Sequence, residues 1–216
     1  MFTVTAPMPI RWHALRKAQG RLDALVVVLA RPQDLAFART LAARWGQAVP
    51  HCHFVAGRGD FHAGRVPARN LGASLGAKLR RLKVPPAQTV LIGVGEAARC
   101  AFDLVMLGAL AGLGAIVVDM APVSVLPVSP PMGATLRFLC HAPAYDRERR
   151  DFDTMLRGLR QTAIDLRTMT LPPGPDAASR AIGGFLIELV ARAGWSRSIP
   201  SAVPTPATPF SPESRS

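Results

Sequence analysis

The residues whose types and spacing suggest catalysis in this chain are Gly93-Val94-Gly95-Glu96-Ala97. Their spacing is that of the G-x-S-x-G motif, in which a sharp turn from a strand into a helix exposes a serine hydroxyl that attacks a carbonyl carbon. Glycine stands at position 95, where the motif has serine. Because glycine has no side chain, this segment, called the elbow below, predicts the architecture of an acyl-transfer site without its nucleophile.

Other candidate nucleophiles occur in unsuitable surroundings. A literal G-x-S-x-G surrounds Ser74, but no strand precedes it and leucines flank it at helical spacing, so we interpret Ser74 as a helical serine. Cys100 lies one turn into the helix predicted after the elbow, where a small buried thiol is usual. Cys140 and His141 are neighbours on a predicted strand, so their side chains point to opposite faces and do not form a Cys–His couple.

A metal site is the other chemistry that the sequence suggests. His51-Cys52-His53 carries imidazole and thiolate groups, which are good zinc ligands. In an extended strand the two histidines face one side and the cysteine the other, so His62 or another distant residue would have to complete the site. We therefore predict no metal and no cofactor.

Alternating strands and helices must position the elbow. Continuous apolar runs predict strands buried on both faces, and stretches with a 3.6-residue period predict helices between them. The predicted strands span residues 23–30, 52–56, 89–92, 115–119, 135–140 and 164–171, and the predicted helices 34–46, 71–82, 96–110, 150–161 and 176–193. Asp34 is expected to cap the first helix. This alternation predicts an α/β fold, a three-layer sandwich with a mostly parallel central sheet.

Length and composition indicate one domain followed by a tail. The 216 residues, 49% of them hydrophobic, suffice for one sizeable core. Residues 196–216 consist largely of Ser, Pro, Thr and Arg, which predicts a disordered tail behind a domain over residues 1–195. The longest lipid-like run, residues 104–118, is shorter than the ~20 residues of a membrane helix, so we expect no membrane span.

Charge and cysteine content say little about partners. The net charge of +12 comes from arginines scattered through every segment, a pattern typical of a GC-rich genome and a solvated surface, and it does not favour nucleic acid. Three cysteines without metal-like spacing, and a start without a basic and apolar leader, favour a cytoplasmic setting.

The order of these blocks over residues 22–193 resembles the phospholipase/carboxylesterase family of α/β-hydrolases, which includes small bacterial esterases and acyl-protein thioesterases. Residues 25–29 (LVVVL) resemble the family's first core strand, and residues 71–86 its helix and proline loop before the elbow. Residues 91–98 (LIGVGEAA) resemble its elbow, and residues 138–146 (FLCHAPAYD) the segment that delivers the triad acid. The resemblance implies an α/β-hydrolase fold and hydrolysis of esters or thioesters.

The resemblance also implies which catalytic parts are absent. The nucleophile position is Gly95. The family's His-Gly loop after the first strand is replaced by the shorter segment 30–34. Of the two N–H groups that form the family's oxyanion hole, the resemblance then leaves only that of Glu96. The triad acid corresponds to Asp146, or to Tyr145 under a one-residue shift. The family's histidine would lie near residues 174–176, and no histidine follows His141.

Three functional hypotheses follow. The leading one is a degenerate family member, a pseudoenzyme that binds a small molecule or a protein and is not itself an enzyme. The alternative is an active carboxylesterase or thioesterase with non-standard residues, using the Glu96 N–H, Asp146 and His141. The third and weakest hypothesis is an arginine-rich protein that binds anionic polymers.

Overall fold

The computed structural model of the chain describes residues 9–61, 68–108, 112, 114–123, 133–142, 145–174 and 176–198. Within these residues the chain forms one seven-stranded sheet in the order β1-β3-β2-β4-β5-β6-β7. All neighbouring strands run parallel except β1, which pairs antiparallel with β3 at one edge. The strands are β1 Arg11–Arg16, β2 Ala24–Ala30, β3 Cys52–Arg58, β4 Thr89–Val94, β5 Gly114–Val118, β6 Thr135–His141 and β7 Asp165–Leu171.

Helices cover both faces of this sheet. Within the described residues they are α1 Leu35–Ala48, α2 Ala68–Leu82, α3 Glu96–Met106, α4 Asp146–Arg160 and α5 Ala177–Ser198, with short 3₁₀ turns at Pro32–Asp34 and Pro86–Gln88. Buried residues of α2, α3 and α4 share one core with one face of the sheet, and those of α1 and α5 share a second core with the other face. The predicted three-layer α/β sandwich with a mostly parallel sheet is therefore confirmed.

The central strand β2 shows why a continuous apolar run predicts a buried strand. Every residue of β2 is buried, because alternate side chains point into the two cores: Leu25, Val27 and Leu29 into one, Val26 and Val28 into the other. Strands buried on both faces have to be apolar throughout, which makes them recognisable as continuous runs. The predicted strand at residues 23–30 matches β2 to within one residue.

Several elements differ from the sequence-based expectation, and β1 and α4 are the clearest cases. The edge strand β1 was not predicted, because its residues are only partly buried and include Arg11, His13 and Arg16 among its six positions. The helix predicted to begin at residue 150 begins at Asp146. The prediction missed its first turn because that turn is charged throughout and carries no apolar periodicity. Asp146 and Glu148 in that first turn instead complement the helix dipole.

The predicted domain boundary falls inside a helix. The last helix, α5, continues through Ser198, and residues 199–216 lie outside the described residues, so the tail remains a prediction. Most of the proline-rich stretch 122–131, and residues 62–64 of the glycine-rich stretch 57–64, also lie outside them. None of the helices in the described part of the chain is both long and apolar enough to span a membrane.

Candidate functional site

The elbow lies where β4 ends and α3 begins. Gly95 has φ 58° and ψ −122°, which is the mirror image of the first central position of a type II turn. Its N–H donates to the carbonyl oxygen of Val118 at 2.8 Å, which ties the turn to the end of β5. The strand, sharp turn and helix that the G-x-S-x-G spacing predicts are therefore all present around Gly95.

Gly93 allows the helix to approach the strand. A Cβ atom at this position would lie 2.5 Å from the carbonyl oxygen of Ala97 and 2.6 Å from the Cα of Ala98. Both contacts are with backbone of α3, which cannot yield without moving the helix. The first glycine of the motif is thus required by packing.

The space above Gly95 is open. Apart from the two chain neighbours, no atom of the described residues lies within 4 Å of where a Cβ on Gly95 would stand. Glu96 is exposed at the first position of α3, and Ala97 is buried behind it. Since the first N–H groups of a helix point out of its N-terminus, they point toward this space. The elbow thus has the geometry of the motif, and Gly95 itself presents no side chain to this space.

A cavity of about 360 Å³ adjoins the elbow on the side of α1. Its walls are mostly apolar and come from the ends of β2 and β4 and from α1, with Val28, Ile92, Val94, Phe37, Leu41 and Trp45 among the lining residues. The charged groups at its rim are Arg31, Asp34 and Glu96. Apolar walls with a few convergent polar groups are typical of small-molecule sites.

The rim charges interact with one another. Arg31 Nε donates to Asp34 Oδ2 at 2.7 Å, and this hydrogen bond is the main reason why the pKa of Arg31 is raised, with Glu96 adding a smaller electrostatic contribution. Asp34 precedes α1 as expected, but its side chain makes no capping hydrogen bond to the helix. Asp34 is thus the N-cap residue of α1, as expected, but its carboxylate bonds to Arg31 and not to the helix.

An aspartate–histidine pair lies at the same edge of the sheet. Asp119 directly follows β5, and His141 is the last residue of β6. The Nδ1 atom of His141 lies 2.9 Å from Oδ2 and 3.0 Å from Oδ1 of Asp119, and the His141 backbone N–H donates to Oδ1 at 2.9 Å. Sequence analysis named His141 but did not pair it with Asp119. An acid directly after a buried parallel strand was the available signal, since ligands of such sheets bind at the strands' carboxyl ends.

The acid expected from the resemblance lies elsewhere. Asp146 is the first residue of α4 and is exposed, as is Tyr145 before it. Asp146 as triad acid remains a prediction. The carboxylate that contacts His141 is that of Asp119.

The other candidate nucleophiles lie in helix packing or in the core. Ser74 lies within α2, where its Oγ accepts a hydrogen bond from Trp12 Nε1 of β1 at 3.0 Å. Burial raises the pKa of Cys100 to about 11 and that of Cys52 to about 12, which keeps both as thiols at neutral pH. Cys140 is partly buried, and burial raises its pKa as well.

The described residues hold no group of three or more His, Cys, Asp or Glu that could bind a metal ion. Cys52 is buried in the core, whereas His51 before it is exposed. His62, the predicted additional ligand, lies outside the described residues.

Comparison with known proteins is informative at the level of structure. No protein-family model matches the chain. No curated protein matches it significantly in sequence. A carboxylesterase structure from Mesorhizobium loti superposes with a TM-score of 0.60 at 16% identity, covering 86% of this chain and 96% of that chain. The Bacillus cereus carboxylesterase gives a TM-score of 0.58 at 13% identity, covering 85% of this chain and 94% of that chain.

A phospholipase/carboxylesterase from Dyadobacter fermentans gives a TM-score of 0.54 at 12% identity, covering 87% of this chain and 99% of that chain. These solved esterases match this chain over nearly their whole lengths, although their sequences differ at most positions. Together with the mostly parallel sheet and the strand–turn–helix elbow, the likeness establishes the architecture: this chain has the α/β-hydrolase fold.

Proposed function

We propose that this protein is a degenerate α/β-hydrolase of the phospholipase/carboxylesterase type that binds a small acyl compound at the elbow without hydrolysing it. The observation that carries the proposal is Gly95. The turn keeps its geometry and open space lies above it, but the residue has no hydroxyl to form an acyl-enzyme.

The cavity beside the elbow indicates the class of ligand. Its apolar walls suit a short acyl chain, and the N-terminus of α3 offers hydrogen-bond donors to a carbonyl oxygen. The rim carries the guanidinium of Arg31, which bonds to Asp34, and the two carboxylates of Asp34 and Glu96, so it has no excess of positive charge to attract an anion. An uncharged ester or amide therefore fits better than a free carboxylate.

Binding is tested with hexanamide, an uncharged acyl compound that resists hydrolysis, by following amide chemical shifts in NMR titrations. Leu41→Trp should fill the cavity and weaken binding at least tenfold, because Leu41 lines it. Leu107→Trp introduces the same side chain at an exposed site on the far end of α3 and should bind as the wild type does. The absence of binding, or equal affinity in the Leu41→Trp variant, would contradict the proposal.

The absence of turnover is tested separately. The wild-type protein should hydrolyse 4-nitrophenyl butyrate no faster than the same protein after heat denaturation, because the elbow holds no nucleophile. Saturable hydrolysis would overturn the non-catalytic assignment if a single substitution in the elbow or in the cavity beside it abolished that hydrolysis.

The second candidate function, an active esterase or thioesterase with non-standard residues, is favoured by the contact between Asp119 and His141. In that case the imidazole would activate water in place of serine. The two functions are distinguished by His141→Gln: a loss of wild-type ester hydrolysis in this variant supports the active enzyme, and the absence of hydrolysis in both proteins supports the binding module.

A further inference from the structure

We propose that four basic residues at the β1 edge of the sheet form a binding site for a phosphate group, either as the free ion or as the end group of a small molecule. They are Arg11, His13, Arg39 and Arg58, called the basic cluster below. The inference goes beyond the proposed function and does not depend on whether the cavity beside the elbow binds an acyl compound.

Strand pairing brings three members of the basic cluster together. The strands β1 and β3 are antiparallel, with Arg11 directly opposite Arg58 and His13 directly opposite Ala56. Directly paired residues of antiparallel strands have Cα atoms ~4.5–5.5 Å apart, and residues two apart in one strand lie ~6.8 Å apart on the same face. The two guanidinium groups and the imidazole therefore leave one face of the sheet within the width of a small ligand.

The fourth member comes from α1, which covers this face. Phe54 of β3 is buried in the core beneath α1, and alternation along the strand puts Arg58 on the same face. The helix α1 returns from the end of β2 to the start of β3, so it runs in the same direction as β1. Gly46 of α1 lies against the side chain of Arg16, the last residue of β1. Arg39 precedes Gly46 by two turns of the same helix face, which places it over the first half of β1.

The helix α1 separates the basic cluster from the cavity beside the elbow. Phe37, Leu41 and Trp45 line that cavity and follow one another at the four-residue spacing of a single helix face. Arg39 is two residues from both Phe37 and Leu41, a rotation of about 200° at 3.6 residues per turn. It therefore projects from the opposite side of α1, and the two sites are distinct.

The basic cluster lacks carboxylate partners. Its three arginines make no ion pair and no side-chain hydrogen bond with the residues that the structure describes, unlike Arg31, which bonds to Asp34. Like charges directly opposite one another on neighbouring strands are destabilising, so Arg11 and Arg58 repel each other. An anion bound between their guanidinium groups removes this repulsion.

The protonation of His13 responds to the same charges. Burial, followed by the charges of Arg58, Arg39 and Arg11, lowers the pKa of His13, and none of the groups that shift it in the described part of the chain is acidic. Its Nε2 atom is buried and has no hydrogen-bond partner among the described residues. The imidazole is therefore neutral at pH 7, and the positive potential that helps to keep it neutral also attracts an anion.

The chemistry of the basic cluster favours phosphate. A guanidinium group presents parallel N–H donors that match two oxygen atoms of a phosphate, and a phosphate group carries about two negative charges at neutral pH. A carboxylate has one charge and two oxygen atoms, so it would engage fewer of the three guanidinium groups. The cluster takes two residues from β1 and one each from β3 and α1, an area that suits one phosphate group and not a run of them. A small molecule therefore fits better than a nucleic acid.

Binding is tested with inorganic phosphate and with phenyl phosphate, a simple phosphate monoester, by calorimetric titration of the full chain. Arg11→Gln and Arg58→Gln should each weaken binding at least ~10-fold, because each removes charge-assisted hydrogen bonds. The matched control is Arg81→Gln, which removes the same charge from an exposed position of α2 on the other face of the sheet and should bind as the wild type does. Both sources of phosphate support the site: tighter binding of phenyl phosphate identifies an organic phosphate, and equal binding identifies the free ion.

Thermal unfolding separates loss of binding from loss of folding. Phosphate at about ten times its Kd should raise the thermal midpoint of the wild type by ~3–5 °C, and sodium chloride at the same ionic strength should not. Without phosphate, Arg58→Gln should unfold at the wild-type temperature or above it, because the substitution relieves the repulsion from Arg11. If a strand variant does not fold, Arg39→Gln at an exposed helix position replaces it and should weaken binding in the same way.

NMR titration of His13 provides an independent measurement. Bound phosphate should raise the pKa of His13, because it offsets the charges of the three arginines. Absence of binding, equal binding by Arg58→Gln and the wild type, or equal stabilisation by sodium chloride would overturn the proposal. So would binding of an oligonucleotide that Arg81→Gln weakens as much as Arg58→Gln does, since surface charge in general would then be responsible. Failure of hexanamide binding would contradict the proposed function alone.

Discussion

At the scale of single residues, the two glycines of the elbow have different physical roles. Gly93 is required because α3 lies against it, whereas Gly95 has backbone angles that favour glycine and faces open space. A serine at Gly95 would therefore meet backbone strain but no steric clash. A change at residue 95 should therefore leave the packing of the elbow intact, whereas a change at residue 93 should disturb it.

We expect Gly93→Ala to destabilise the protein by about 1–3 kcal/mol, because the new methyl group overlaps backbone atoms of Ala97 and Ala98. Urea unfolding followed by circular dichroism measures this change. The matched control is Gly184→Ala on α5, where a Cβ meets no other atom of the described residues within 4 Å, and alanine in a helix should stabilise slightly. Equal stabilities of the two variants would show that the helix does not pack on Gly93 as described.

At the scale of elements, a charged cluster joins β6, β7 and α5. Arg137 on β6 is fully buried, and its guanidinium donates to Asp165 Oδ2 at 2.9 Å and to Glu188 Oε1 at 2.7 Å. Burial alone would raise the pKa of Asp165, but hydrogen bonds from Arg137 and Arg192 outweigh it and lower the pKa. Asp165 therefore stays ionised at neutral pH, and its contribution to stability is lost only as the pH falls below ~4 through the lowered pKa.

Replacing the buried cation should be costly. We expect Arg137→Leu to lower the free energy of unfolding by about 2 kcal/mol, less than the ~3–5 kcal/mol of a fully buried pair, because Asp165 and Glu188 retain other arginine partners. Arg44→Leu, which breaks the half-exposed ion pair with Asp176, should cost less than ~1 kcal/mol. Both are measured by urea unfolding at neutral pH, and a neutral effect of Arg137→Leu would mean that the cluster does not hold the β6–β7 edge.

At the scale of the whole molecule, some of the arginines behind the positive net charge lie in ion pairs. Several arginines that contribute to the net charge of +12 pair with carboxylates, among them Arg31, Arg44 and Arg99. These pairs lie on different helices and loops. They fit the interpretation of the arginines as a solvated surface, while binding to anionic polymers remains a prediction.

Removal of residues 199–216 should leave the domain intact, because the proline-rich composition of this segment offers little apolar surface to bury. We place the truncation after Ser198, where α5 ends, and expect the thermal midpoint to change by no more than a few degrees, about the shift of 1 kcal/mol in a domain of this size. Differential scanning calorimetry measures it. A drop of ten degrees or insolubility would show that the segment packs on the domain.

The sequence by itself determined the layers and the glycine at the position where the motif has serine. Strands buried on both faces must be apolar throughout, so β2, β4 and β5 could be predicted from continuous apolar runs. Gly95 could be recognised by its position between a predicted strand and a predicted helix. The edge strand β1 could not be predicted, because a partly exposed strand has no such constraint on its composition. Only the tertiary structure decided which side chains meet at the carboxyl edge. Asp119 and His141 are 22 residues apart and come together because β5 and β6 are neighbours in the sheet, which local periodicity does not encode.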